Sequence, residues 1–327
     1  MQHLLEVQDL RIKFNSRGGS FPAVDGLSYQ LNAGETLGIV GESGCGKSIS
    51  ALAVLRLIPD PPGFYDGGTI HFQGENLLEL SELQMQQIRG KQISMIFQEP
   101  MTSLNPVLTI GRQLTETLLL HESVTKKEAY GRTIEMLRLV QIPEPKRRFD
   151  EYPHQLSGGM RQRAMIAMAL SCNPKVLLAD EPTTALDVTI QAQILDLVSE
   201  LQTKLGTAVI LITHDMGVIA ENTDRVIVMY AGKKVEEAEV NSLFASPQHP
   251  YTEGLLASIP TLDEPDSENR RELNEIKGIV PSLADVGSGC AFAPRCRLSS
   301  DHCFSEAPAL EQKQSNHWAA CWHSNQL

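Results

Sequence analysis

The sequence predicts an α/β domain with a largely parallel sheet, followed by a smaller loop-rich region. Three observations carry that prediction. Apolar strand-like runs alternate with helical periods up to about residue 240, the pattern of strands joined by helical crossovers. One run leads into a glycine-rich stretch, Gly41-Glu42-Ser43-Gly44-Cys45-Gly46-Lys47-Ser48, with a helix-like stretch behind it. Beyond residue 246 the texture changes, and Pro247, Pro250, Pro260, Pro265 and Pro281 punctuate short segments.

At 327 residues the chain can bury a sizeable core in one large domain or two. Hydrophobic residues make up 42% and charged residues 21%, ordinary values for a soluble protein. Lys and Arg number 28 against 40 Asp and Glu, a net charge of −12. That balance disfavours non-specific nucleic-acid binding, which relies on basic surface. No apolar run approaches the roughly 20 residues of a spanning helix. The N-terminus alternates Leu5, Val7, Ile12 and Phe14 with charges, a strand pattern and not a signal peptide. A soluble, cytosolic chain is expected, with any membrane role exerted through partners.

In chain order, core strands are expected at Leu37–Val40, Ile93–Phe97, Val176–Asp180 and Val209–Thr213. A helix is expected over Ile49–Ile58. Between Gln98 and Tyr152 lies a mostly helical insert, Thr109–His121 and Lys126–Val140, closed by Pro143 and Pro145. Helical periods resume over Gly159–Leu170 and Ile190–Leu205. Arg225–Tyr230 and Lys233–Glu237 read as a hairpin across Ala231-Gly232, and the charged Asp263–Arg271 as solvated loop. The expected division is a domain over 1–245, with its helical insert at about 99–175, and a C-terminal extension over 246–327.

Gly41–Ser48 fits G-x-x-x-x-G-K-S/T at every fixed position, in the strand–loop–helix context that motif requires. Its glycines let backbone N–H groups wrap a polyphosphate, and the helix N-terminus adds a favourable dipole. Lys47 would reach the β- and γ-phosphates of a nucleotide and Ser48 the Mg²⁺. Val176–Asp180 and then Glu181 form an apolar strand delivering two carboxylates at its C-terminal edge, where α/β sheets bind ligands. Phosphoryl transfer needs a metal and a residue that positions the nucleophile. Asp180 would hold Mg²⁺ through water, and Glu181 would polarise the attacking water.

Leu156-Ser157-Gly158-Gly159-Met160-Arg161-Gln162-Arg163, about twenty residues before Asp180, resembles the signature of ABC-type ATPases. The rest of that family's set follows the same order over roughly residues 4–245. Gln98, in Met95-Ile96-Phe97-Gln98, resembles the Q-loop glutamine; Ala185-Leu186-Asp187 resembles the D-loop; His214 resembles the switch histidine. Phe14 stands where the family carries an aromatic stacked on adenine, with Phe21 and Val24 as rivals. The resemblance implies a P-loop ATPase of ABC type. In such a protein Leu156, Ser157, Gly158 and Gly159 serve the ATP of a second ATPase subunit, and Gln98 and His214 sense Mg²⁺ and the γ-phosphate. Met160 departs from the glutamine usual there, although peptide-importer relatives share it. Cys45 replaces a frequent serine, and only its backbone N–H is needed.

Four of the six cysteines fall late in the chain, as Cys290-x5-Cys296-x6-Cys303-x17-Cys321. In a reducing compartment such clustering points to metal more than to disulfides. Iron–sulfur, zinc and buried free thiols all stay open on the residues, with the absence of C-x-x-C arguing against a zinc ribbon. His249-Pro250-Tyr251-Thr252, Met101–Pro106 and Gly289–Cys296 are similar to the oligopeptide/dipeptide importer ATPases, with nickel importers a sister group. This resemblance implies a 4Fe-4S cluster on the four cysteines. It also implies two transmembrane permease subunits, a second related ATPase as heterodimer partner, an extracytoplasmic binding protein, no nucleic acid, and a place on the cytoplasmic face of a bacterial inner membrane. A soluble ATPase acting on ribosomes or nucleic acid would carry basic arms, coiled-coil insertions or tandem domains, and none is visible.

Overall fold

Three consecutive apolar runs are buried at every position and pair in parallel: β6 (Ile93–Ile96), β7 (Val176–Asp180) and β8 (Ala208–Thr213). Strands covered on both faces need no polar alternation, which is why apolar residues dominate all three. Their register sets Ile93 beside Val176 and Val176 beside Ala208. The computed structural model describes residues 3–98, 103–183, 187–259, 276–281 and 286–327. These divide into two units, one built chiefly from Gln73–Ile212, the other from Leu5–Gln30, Leu37–Phe72 and Thr213–Leu327.

The first unit holds β6–β8 and the helical insert. Its helices span Ile110–His121, Lys126–Leu139, Pro145–Phe149 and Gly158–Leu170. Thr109, Thr125 and Ser157 each cap a helix by accepting a backbone N–H, and Thr125 with Glu128 completes a capping box. These caps start the helices within a residue of the positions expected from sequence. Asp263–Arg271, with Met101, Thr102, Pro260 and Pro265, lies outside the described residues.

In the second unit β1 (Leu5–Ser16) pairs antiparallel with β4 (Gly63–Phe72), from Leu5 opposite Phe72 to Phe14 opposite Gly63. β2 (Gly19–Leu31) flanks β1. β3 (Thr36–Val40) runs parallel to β9 (Arg225–Tyr230), which turns back through Ala231 and Gly232 into β10 (Lys233–Glu239). Both turn residues have positive φ, 45° and 79°, the hairpin turn that matches strand twist. β12 (His317–Ala319) then pairs antiparallel with β10, and β11 (Glu311–Gln314) with β12. The C-terminal extension therefore adds strands to the sheet edge that the hairpin leaves open.

The helix expected at Ile49–Ile58 runs instead from Lys47 to Val54. Arg56 takes a positive φ of 51° and Pro59, Pro61 and Pro62 follow, which forbids continuation. Extension residues complete the second unit's core, where Tyr251 and Phe292 pack with Tyr230, Val228 and Leu243.

Candidate nucleotide site and cysteine cluster

β3 delivers the chain into the glycine-rich loop and the helix Lys47–Val54 leaves it. Two glycines are obligatory there. Gly41 has φ 154°, and a Cβ on it would stand 2.2 Å from the Met229 carbonyl oxygen; Gly46 has φ 98° and would bring a Cβ to 2.5 Å from that of Ala23. The helix has no side-chain cap and no acidic residue in its first turn, so no local anion competes for its N-terminal N–H groups. Ser43 and Gly44 are exposed and Ser48 half-buried. A glycine cradle that any side chain would fill, ending on an uncapped helix, fits a polyphosphate.

Lys47 is only 4% exposed. Its ammonium donates to the carbonyls of Gly41 at 2.6 Å and Glu42 at 3.1 Å and lies 3.8 Å from the Cys45 sulfur. Phosphate oxygens would replace neutral carbonyls with charged acceptors, a stronger match. Burial pushes the Cys45 thiol up, so it stays protonated near neutral pH and serves the loop through its backbone. Phe14 is half-buried and stacks on Phe21 with ring centroids 6.2 Å apart, whereas Val24 is wholly buried. His214 is exposed at the corner where Asp215 caps the following helix, Met216–Asn222, by accepting the N–H groups of Gly217 and Val218.

The first unit carries the carboxylates. Asp180 ends β7 and is 5% exposed. Glu181 follows at φ 45°, a left-handed conformation that costs a non-glycine residue about 1–3 kcal/mol and concentrates at functional sites. Its N–H is held by the Ile212 carbonyl at 2.9 Å. Its carboxylate accepts a hydrogen bond from Gln98 Nε2 at 2.9 Å. Gln98, which precedes the insert helices, thus touches the carboxylate that follows β7.

In the same unit Leu156 is buried and Ser157 and Gly158 are exposed at a helix start, with Gly159 partly covered. The Ser157 hydroxyl accepts the Met160 N–H at 3.3 Å. Two residues further on, the buried Gln162 side chain donates to the Pro182 carbonyl, just past Glu181. Asp187 precedes the helix Val188–Leu205 without capping it through its side chain; Ala185 and Leu186 lie outside the described residues.

Two residues that sequence reasoning did not place at the loop are there. The Glu42 N–H donates to the Tyr251 hydroxyl at 2.8 Å, and the Glu42 carboxylate receives Arg295 at 2.7 and 3.0 Å. Both lie in segments that carry the resemblance to peptide-importer ATPases, His249–Thr252 and Gly289–Cys296, so the signal existed but its destination did not.

Cys290, Cys296, Cys303 and Cys321 line one small cavity of about 20 Å³, with His249, His323 and Trp322. No disulfide links them. The Leu298 N–H points at the Cys296 sulfur at 3.4 Å and the His323 N–H at the Cys321 sulfur at 3.3 Å. Burial pushes the Cys290, Cys296 and Cys321 thiols up. The donor set, four sulfurs with backbone N–H groups aimed at them, suits a soft metal centre. Among the described residues no group of three or more His, Cys, Asp or Glu is set as a ready-made metal site. The four thiols converge around a void about one water in size.

A phosphate loop, a strand-end carboxylate pair and a serine–glycine helix start define the ABC class of ATPases. The chain belongs to the ABC transporter family: residues 24–184 match its family model, and residues 235–303 match that of the oligopeptide/dipeptide transporter C-terminal region. It is an ATPase of that family. A probable peptide ABC transporter ATP-binding protein of Sinorhizobium fredii is 54% identical over 99% of this chain and 96% of its own length. The oligopeptide transport protein OppD of Bacillus subtilis is 52% identical over 98% of this chain and 88% of its own. Among solved structures, the dimeric cassette MJ0796 bound to ADP and Pi is similar with a TM-score of 0.65 and 27% identity, covering 72% of this chain and 98% of that one. No described helix is long and apolar enough to cross a membrane.

Proposed function

We propose that the chain is the ATP-hydrolysing subunit of an importer of di- and oligopeptides. The hydrogen bond from Gln98 to Glu181 carries the enzymatic part of that reading, because it joins the insert to the candidate catalytic carboxylate. Gly41–Ser48 bind the phosphates, with Lys47 moving from its carbonyl acceptors to the β- and γ-oxygens. Mg²⁺ is held by Ser48, Gln98 and, through water, Asp180. Glu181 orients and polarises water, His214 contacts the γ-phosphate and Phe14 stacks on adenine. Leu156–Gly159 and Asp187 face the ATP of a second subunit, so dimer closure gates hydrolysis.

The peptide part rests on the relatives' names and on the tail that residues 235–303 match. In this reading residues 1–245 are the ATPase domain, with the insert at about 99–175 driving the permeases. Residues 246–327 form the extension. The partners are two permeases and a related ATPase at the cytoplasmic membrane face, fed by an extracytoplasmic binding protein. The four cysteines hold a 4Fe-4S cluster, or failing that zinc, once their side chains open the cavity. Anaerobic purification followed by iron, sulfide and zinc assays decides this; a colourless, metal-free chain removes the cluster.

Purifying the tagged chain from detergent-solubilised membranes tests the assignment. Permease subunits and a second ATPase are expected to co-purify. Ribosomes or DNA in their place overturn the importer reading, and permeases that move only nickel or another small solute overturn the peptide.

A further inference from the structure

The Cys290–Cys296 turn reaches the phosphate loop through one side chain. Arg295 ends the short helical turn Ala293–Arg295, tied by the Ala293 N–H to the Cys290 carbonyl at 3.0 Å and by the Cys296 N–H to the Ala293 carbonyl at 3.2 Å. Its side chain is 4% exposed, and the guanidinium forks onto both carboxylate oxygens of Glu42. Its other donors are taken by the Tyr230 hydroxyl at 3.3 Å and by the carbonyls of Lys277 and Ile276, each at 3.1 Å. Phe292 and Tyr230 lie against its face, 5.9 and 5.8 Å from ring centre to guanidinium. A fork satisfied at every nitrogen and packed between rings has one geometry, not several.

Glu42 is the loop residue through which that geometry is transmitted. Its carboxylate is held by Arg295, its N–H by Tyr251, and its carbonyl accepts the Lys47 ammonium. Without Arg295, Glu42 would also present an unneutralised carboxylate within the loop that has to take phosphates, a like-charge penalty.

We propose that Arg295 and Tyr251 are positioning residues for the phosphate loop, and that through Arg295 the cysteine-bearing turn sets the affinity for MgATP. The inference rests on the reading of Gly41–Ser48 as the nucleotide site. It assigns the extension a role in nucleotide binding in addition to its place in the sheet.

The test is equilibrium binding of a fluorescent ATP analogue with Mg²⁺ to the full chain, with unfolding midpoints measured beside it. Arg295→Ala is expected to weaken binding about tenfold. Arg295→Lys keeps the charge and loses the fork, and is expected to fall between wild type and Arg295→Ala. Tyr251→Phe keeps the ring, removes the acceptor of the Glu42 N–H, and is expected to weaken binding about threefold. Glu42→Gln in the Arg295→Ala background should restore binding to within about threefold of wild type, because the stranded charge is gone. A purely structural loss would not be reversed by that second change. If Arg295→Ala does not fold, the Lys and Phe variants carry the test. Lys47→Ala serves as the reference: unchanged binding there sinks the nucleotide reading of the loop. Lost binding there with wild-type affinity in both Arg295→Lys and Tyr251→Phe, or additive effects of the Arg295 and Glu42 changes, overturns the proposal.

Discussion

The phosphate loop and the cysteine cluster lie in the same unit, and they are specified in opposite ways. The loop is contiguous: eight residues, Gly41–Ser48, that leave β3 and run into the helix Lys47–Val54, shaped by backbone geometry at Gly41 and Gly46. The cluster is assembled from positions 290 to 321 and depends on packing against His249 and Trp322. A contiguous motif states its own geometry, because φ and ψ at glycine follow from the absent Cβ. A dispersed donor set states only its chemistry, and its spacing waits on everything that packs around it.

Changes at the carboxylates and loop should hit chemistry hard and leave the cluster intact. The largest expected effect is Glu181→Gln, which should lower kcat about a thousandfold or more while retaining ATP binding, measured in the complete complex. Turnover near the wild-type rate would remove Glu181 from catalysis. Gly41→Ala ranks next: the new Cβ collides with the Met229 carbonyl, and nucleotide binding should fall below detection by calorimetry. Normal affinity there would mean the loop tolerates a backbone shift that its contacts oppose.

Changes under the extension should act on stability first. His317 Nε2 and Glu236 Oε1 meet at 2.6 Å with both side chains fully buried, and Glu236 also accepts the N–H groups of Gln248 and His249. Glu236→Leu strands three donors and should cost about 3–5 kcal/mol in urea unfolding. A loss under about 1 kcal/mol would show that the tail is not held by this carboxylate.

The smallest effect concerns pH. Burial pushes His249 down to about 3, while its Nδ1 accepts the Tyr251 N–H at 3.0 Å. The folded value lies below the unfolded one of about 6.5, so the unfolded chain binds the extra proton. The stability from neutral His249 is therefore full above that unfolded value and drains as pH falls toward 3. His249→Asn, which keeps an acceptor for the cap, should flatten the pH dependence of the urea midpoint. An unchanged slope would assign the acid sensitivity to other groups.

Much of the first unit was legible in sequence because its signals are local. Val176–Asp180 matches the strand expected there, and the helices at Ile110 and Lys126 start within one residue of their expected positions. Gln98 and Glu181 stand 83 positions apart in the chain, and no periodicity relates them. Their family roles were nameable in advance; their hydrogen bond was not. The helix after Lys47 was read too long because the apolar run continues to Ile58 although the backbone turns at Arg56.

By itself the sequence determined the chemistry available: a loop only glycine permits, carboxylates at a strand end, a serine–glycine helix start and four thiols. Tertiary structure decided which of these touch. It set Arg295 and Tyr251 on Glu42 and paired β12 to β10. It also drew the four cysteines around one small cavity. The physical reason is range. Backbone conformation is dictated by neighbours within a few residues, whereas an ion pair spanning 253 positions exists only once the core around Tyr230 and Phe292 has packed.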